Sequence, residues 1–236
     1  MPRTAIWKSI LDTLRAEIGT GRYRVGDKLP TEAELSRRFG VNRHTVRRAL
    51  AGMAESGLVH PRRGAGVFVA APPTDYPLGR RVRFHQNLRA AGQTPDKTIL
   101  LIETRLPDRA ETTALHLRDG AQVHAYEGIS LANGTPLALF RSVFPAARFP
   151  TLPQDLEETP SVTAALSRGG VADYTRASSR LTAKLATATQ ALHLRIREGA
   201  PILRTIGINV DETGQPVEYG HTWFAGDRIS LTIAPE

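Results

Sequence analysis

The sequence predicts a two-domain α+β protein: an N-terminal winged helix-turn-helix, then an antiparallel sheet domain with flanking helices. Three observations carry this. Residues 1–70 hold 13 Lys+Arg against 6 Asp+Glu, whereas residues 71–236 hold 18 against 17, so nearly all of the net +8 sits in the first third. That same third spaces its apolar residues as short helices separated by glycine turns. The remainder repeats itself weakly: Ala114-Leu115-His116-Leu117-Arg118 returns further on as Ala191-Leu192-His193-Leu194-Arg195. A length of 236 residues accommodates one large domain or two small ones, and a composition 41% hydrophobic and 23% charged is that of a folded chain.

The first helix is predicted from Ile6, Ile10, Leu11, Leu14 and Ile18, one apolar face ended by Gly19 and Gly21. Thr31 and Glu34, three apart after Pro30, form a capping-box signature for a second helix with Leu35 and Phe39 inward and Gly40 as its stop. Asn42 is the N-cap of a third, whose buried stripe is Val46, Leu50 and Met53, closed by Gly57. Its polar side carries Arg43, His44 and Arg47, flanked by Thr45 and Arg48. Two helices joined by a short Gly-containing turn make a helix-turn-helix, whose second helix presents its N-terminal residues to base edges in the major groove. Leu58–His60 and Val67–Val69 then read as two strands around the basic tip Pro61-Arg62-Arg63-Gly64-Ala65-Gly66, a wing whose arginines suit phosphates or a minor groove. A basic face alone is as readily a solvated surface. Cap, turn, basic helix and basic wing in this order point to double-stranded DNA.

Residues 71–79, with three prolines in Ala71-Pro72-Pro73-Thr74-Asp75-Tyr76-Pro77, read as a semi-rigid linker, which gives domains of 1–70 and 80–236. Each half of the second domain reads as helix, strand, helix and hairpin. The leading helices are 84–91 and 161–168, the strands 98–104 and 175–182, and the second helices 108–115 and 186–192. The hairpins turn at Asn133-Gly134 and Thr213-Gly214. Six strands in two related halves suggest one antiparallel sheet, with a pocket where the halves meet. Arg83, Arg141, Arg176, Ser178 and Glu218 are its polar candidates, and three arginines with a helix N-terminus would form an anion site.

Several classes drop out. A chain with no cysteine has no disulfide framework or thiolate metal site. The seven histidines lack helical metal-ligand spacing, so no metal and no cofactor is expected. No Gly-x-Ser-x-Gly elbow, P-loop or His-Glu-x-x-His is present, which argues against an enzyme. A non-specific DNA-coating protein would explain the charge but not a large near-neutral domain. The start of the chain lacks the apolar core of a signal peptide and no run reaches 18 apolar residues, so a cytoplasmic protein without a membrane partner is expected.

Residues 5–70 resemble the winged helix-turn-helix of the GntR family of bacterial transcription regulators. The matching residues are Gly26-Asp27-Lys28-Leu29-Pro30-Thr31-Glu32, Leu35, Phe39-Gly40-Val41, Arg43, Thr45-Val46-Arg47, Ala49-Leu50 and Gly57-Leu58-Val59 before Gly64. The resemblance implies base and phosphate contacts by Asn42, Arg43, His44, Thr45, Arg47, Arg63 and Gly64, with Arg62 beside them. Ala33 stands where many members have Arg, so a base contact is lost there. Residues 78–234 resemble the chorismate-lyase-like UTRA effector domain of the HutC branch, and within it the PhnF-type repressors of phosphonate utilisation. That likeness rests on Arg83-Phe84 with Asn87-Leu88, on Thr175-Arg176-Ala177-Ser178-Ser179-Arg180, and on Pro216-Val217-Glu218-Tyr219-Gly220-His221-Thr222-Trp223-Phe224. It implies a homodimeric repressor on an inverted-repeat operator, modulated by a small anionic effector. Arg83, Phe84 and His85 would lie at the anion, Glu218 at a hydroxyl or amine, and Phe224 in the pocket wall. Phe140 replaces a Glu of sugar-binding relatives, which favours a smaller anion such as a phosphonate or phosphate. A sugar phosphate or urocanate is the alternative effector.

Overall fold

The computed structural model describes residues 5–233 except 63, 72 and 82, and only the backbone of Arg62. The chain divides into two compact units, Met1–Pro72 and Pro73–Glu236.

The first unit contains α1 (Ile6–Gly19), α2 (Glu32–Phe39), α3 (Arg43–Glu55), β1 (Val59–Arg62) and β2 (Gly66–Val69). Ile10, Leu11 and Leu14 of α1 meet Leu35, Val46, Leu50 and Met53 in one core that the hairpin closes with Val59 and Val69. α1 and α3 cross at Gly52, where a Cβ would stand 2.9 Å from Leu11 Cδ1. The capping box forms as expected: the Thr31 hydroxyl accepts from the Glu34 amide at 3.3 Å, and the Glu34 carboxylate from the Thr31 amide at 2.7 Å. Gly40 ends α2 in the left-handed region, φ 64°, the conformation that makes the turn tight enough to start α3 shortly afterwards.

The second unit runs β3 (Thr74–Pro77), α4 (Phe84–Ala90), β4 (Pro95–Arg105), α5 (Arg109–Ala114), β5 (Val123–Ala132) and β6 (Thr135–Pro145). It continues with α6 (Leu152–Glu158), α7 (Val162–Arg168), β7 (Thr175–Leu185), α8 (Ala188–Leu194), β8 (Pro201–Val210), β9 (Pro216–Ala225) and β10 (Ile229–Thr232). Six strands make an antiparallel sheet in the order β4-β5-β6-β9-β8-β7, three from each half of the repeat. The halves meet at β6 and β9, where Arg141 lies opposite His221, its own equivalent in the repeat. A local two-fold axis therefore passes between these two residues.

Side chains alternate between the two faces of the sheet. One face packs α5 against Val123 and Val143, through Leu115, and α8 against Ile202, through Ala191 and Leu194. The other face, bearing Tyr126, Phe140 and Phe144, is covered by Phe149, Leu152 and Leu156 and by Leu166 of α7. α4 completes this side with Leu88 on Ala132 and Leu137.

One expectation changes, and one helix was not foreseen. Residues 74–77 are not a free linker: β3 pairs in parallel with β10, burying Thr74 and Tyr76 alternately. Proline favours extended backbone and is tolerated on a sheet edge, so Pro77, one of the prolines that suggested a linker, suits the end of this strand. The helix α6 lacks an apolar period long enough to be read, since its burial rests on Leu152 and Leu156 alone.

Candidate nucleic-acid interface and ligand cavity

On the first unit, α3 is started by Asn42, whose Oδ1 accepts from the Thr45 amide and the Thr45 hydroxyl, both at 2.9 Å. Cap and hydroxyl thus fix one another, and Thr45 is half-buried behind them. Arg43, His44 and Arg47 stand exposed on the first two turns, as the sequence predicts. Arg47 is held by Glu32 at the start of α2, Nε to Oε1 at 2.9 Å and Nη2 to Oε2 at 2.7 Å. This fork-to-fork pair aims the guanidinium across the helix-turn-helix and holds the Glu32 carboxyl below its usual range. Arg48 leaves the basic face: its guanidinium lies over the Trp7 ring of α1, 4.8 Å from the centroid. Gly64 turns the wing with φ +75°, while Arg63 and the side chain of Arg62 lie outside the described residues. Sequence reasoning missed Lys28. Its backbone bridges to Phe68 of β2, and its Cε lies 2.6 Å from where a Gly66 Cβ would be, so the exposed Lys28 joins the wing.

On the second unit, a cavity of about 700 Å³ lies on the sheet face beneath α4 and α7. Six of the eight expected ligand residues line it: Arg83, Phe84, His85, Arg176, Glu218 and Phe224. Arg83 bonds to Asp173, which also accepts from Arg81, and stacks 5.4 Å over the Tyr174 ring. Those arginines, Arg81 first, hold the Asp173 carboxyl down at about 2 against partial burial. Burial, helped by Lys97 and Arg89, lowers the His85 pKa, and among the described residues its Nε2 is buried without a partner. Glu218 is buried and engaged from below, with Oε1 accepting from Ser142 Oγ and Oε2 from Asn209 Nδ2, each at 2.5 Å.

Two expected residues are on the wrong side. Arg141 stands on the opposite face, where its Nε donates to Glu127 at 2.6 Å, because Phe140 and Ser142 take the cavity side of β6. Ser178 should share a face with Arg176 in an unbroken strand. A bulge between them places Arg176 against Asn209 and Ser178 against Ile208, so Ser178 turns away and is exposed.

The residue that sequence reasoning missed here is Lys97 of β4. Its ammonium lies over the rings of Phe140 and Tyr126, 5.0 and 5.6 Å from their centroids, and burial pushes its pKa down to about 8 despite Glu218 nearby. The signal that could have found it is the repeat itself: Lys97 and Arg176 occupy equivalent positions, as do their cross-strand neighbours Ser130 and Asn209.

Comparison with known proteins fits both units. The model for bacterial regulatory proteins of the gntR family matches residues 7–69, and that for the UTRA domain matches residues 90–230. An uncharacterised HTH-type transcriptional regulator of Rhizobium meliloti is 37% identical over 97% of this chain and 94% of its own length. The probable transcriptional regulator PhnF of Escherichia coli is 34% identical, over 89% of this chain and 88% of its own. The crystal structure of PhnF from Mycobacterium smegmatis superposes with a TM-score of 0.66 at 26% identity, covering 96% of this chain and 99% of that one. A basic winged helix-turn-helix joined to a sheet domain with a polar cavity defines a transcription regulator rather than an enzyme. The chain belongs to the GntR family, with a UTRA domain as its second unit, and is close to PhnF.

Proposed function

We propose that this chain is a homodimeric, cytoplasmic repressor that binds an inverted-repeat operator and is released by a small anionic effector of the phosphonate or phosphate type. The observation that carries the reading is the cavity's charge. Arg176 and Lys97 line it with no ion pair among the described residues, Arg83 beside them shares Asp173 with Arg81, and Glu218 is its buried carboxylate. Cations in such excess need an anion, since an uncompensated charge away from water is costly. Arg43, His44 and Arg47 would meet the major groove, with Asn42 and Thr45 setting the start of the helix, and Arg62, Arg63, Gly64 and Lys28 would hold the wing on the backbone. NagR of Bacillus subtilis and PhnF of Mycolicibacterium smegmatis, to which the chain is similar, are transcriptional repressors.

Release requires that the effector bind one dimer geometry more tightly than the other; affinity alone shifts nothing. The test is titration of an inverted-repeat duplex and its shuffled counterpart by fluorescence anisotropy, with and without phosphonates. With roughly eight phosphate contacts per dimer, log K should fall against log salt with a slope near −7. Arg47→Ala should cost about 1–3 kcal/mol on the inverted repeat, the range for a base contact. Equal affinity for shuffled DNA refutes the operator reading, and indifference of the complex to every anion refutes the effector reading.

A further inference from the structure

The sheet of the second unit ends on two long open strands. β4 and β7 each run 11 residues. Among the described residues the outer edge of β4 makes no backbone hydrogen bond, and that of β7 makes one, from the Arg176 amide to the Arg80 carbonyl. A long open edge is a template for another strand, and natural sheets keep their edges short, charged or covered. These edges instead hold apolar side chains in water: Ile99, Leu100 and Leu101 on β4, and Leu181 and Leu185 on β7.

The face that carries α5 and α8 is also open between those helices. One register row crosses all six strands there: Leu101, Glu127, Arg141, His221, Ile206 and Arg180. None of the six is buried, whereas Tyr126, Phe140 and Thr205, next to them on the cavity side, are. His221 Nε2 and, in the adjoining row, Arg204 Nε are out of water without a partner among the described residues. Charge on this face is divided between the halves. Glu103 and Glu127 stand on the first half, where Arg105 and Arg141 are held by Glu111 and Glu127. Arg180, Lys184 and Arg204 stand on the second half, with no carboxylate on its three strands there.

We propose that a second copy of the chain covers this face and both edges, about a two-fold axis that runs along the strands between β6 and β9, perpendicular to the local axis of the repeat. This rests on the homodimer proposed above and names where its copies meet. Strand directions alternate through the sheet, so such an axis sets β4 of each copy antiparallel beside β7 of the other and leaves no edge open. The register row meets its own copy reversed: Leu101 of one chain comes to Arg180 of the other, with Glu103 the next residue on the same face of β4. The acidic half of each copy thereby lies against the basic half of the other. An axis across the strands would set acid on acid, and pairing β7 with its own copy would bring Arg180 and Lys184 together. Six strands about 4.8 Å apart and about 33 Å long present roughly 800 Å², one partner's share of a standard-size interface.

The experiment is sedimentation equilibrium of the full chain, with circular dichroism to check that each variant is folded. The wild type is expected to be a dimer at micromolar concentration. Glu103→Arg and Arg180→Glu, both at exposed positions of outer strands, should each raise the dimer dissociation constant at least about tenfold, because each sets like charges against one another at two symmetry-related places. Mixed one to one, the two variants are complementary at both places and should associate within about threefold of the wild type. Recovery on mixing separates the contact between copies from any effect inside one chain, such as loss of the Glu103–Arg105 pair at 3.2 Å. If the wild type is a dimer and both variants dissociate as it does, or mixing restores nothing, this interface is refuted while the homodimer stands. A wild type that stays monomeric refutes both.

Discussion

Replacing Lys97 by Met should stabilise the second unit while depriving it of a ligand contact. The side chain is half-buried, its ammonium is withdrawn from water against two aromatic rings without an ion pair, and its pKa falls from 10.5 to about 8. At about 1.36 kcal/mol per unit, holding Lys97 charged in the fold costs about 3 kcal/mol at neutral pH. Met keeps the length of the stem and offers the rings a thioether contact, so most of that cost is recovered. For a unit of this size each kcal/mol moves the melting temperature by about 2–4 °C, so the gain at pH 7 should be roughly 5–10 °C. Its pH dependence is the sharper check. Between about 8 and 10.5 the unfolded chain keeps the proton on Lys97 and the folded chain has lost it, so wild-type stability rises with pH across this window. The gain from Lys97→Met should therefore be full below pH 8 and gone by about pH 11. Lys97 also lowers the pKa of His85 and attracts Glu218, so both neighbours lose that interaction in the variant, while Arg89 and Arg176 are common to both proteins. Differential scanning calorimetry of the full chain at pH 7, 9 and 11 measures it. A lower melting temperature at pH 7, or a gain that persists at pH 11, would refute the argument that Lys97 is held charged at a cost.

Asn42→Ala removes the acceptor of both Thr45 bonds and should cost the first unit about 1 kcal/mol, with loss of operator affinity, read by calorimetry and anisotropy. Arg141→Ala and Ser178→Ala, on the far face of the sheet, should leave effector affinity within twofold of wild type by calorimetric titration; a tenfold loss would show that the register places them wrongly. Asp173 contributes stability above its unfolded pKa near 3.8 that disappears as pH falls through about 2, because Arg81 and Arg83 favour its charged form. An acid titration of wild type should therefore show a loss in that window that Asp173→Asn lacks.

The DNA-binding head was legible because its signals are local. Thr31 with Glu34, Asn42 with Thr45, and Gly40 each act within a single helical turn, so spacing alone places them. The repeat likewise disclosed six strands and two hairpins, since equivalent segments fold alike, but not the junction of the halves at β6 and β9, which rests on contacts far apart in the chain. What spacing could not supply is anything that depends on counting faces through an irregular strand. A bulge after Arg176 reverses every later residue of β7, which is why Ser178 was expected inside and is outside. Lys97 was invisible for a related reason: on an edge strand flanked by exposed Thr98 and Ile99, nothing in its neighbourhood marks it as turned inward. Only its partner across the repeat does.

That partnership explains how a nearly neutral domain can carry a strongly positive site. Residues 71–236 balance 18 Lys+Arg with 17 Asp+Glu, but much of the balance is struck in pairs that leave out Lys97 and Arg176: Arg81 and Arg83 with Asp173, Arg105 with Glu111, Arg141 with Glu127, Arg148 with Asp211, and Arg168 with Asp155. Duplication of one half-domain copies a cavity-facing cation along with its strand, as Lys97 and Arg176. It does not copy a carboxylate beside it. Glu218 pairs with Asn209, and the equivalent pair in the first half is Ala138 with Ser130, so an alanine stands where the second half has its acid. Two copied cations and one unique acid leave an excess that grows from the symmetry of the fold itself.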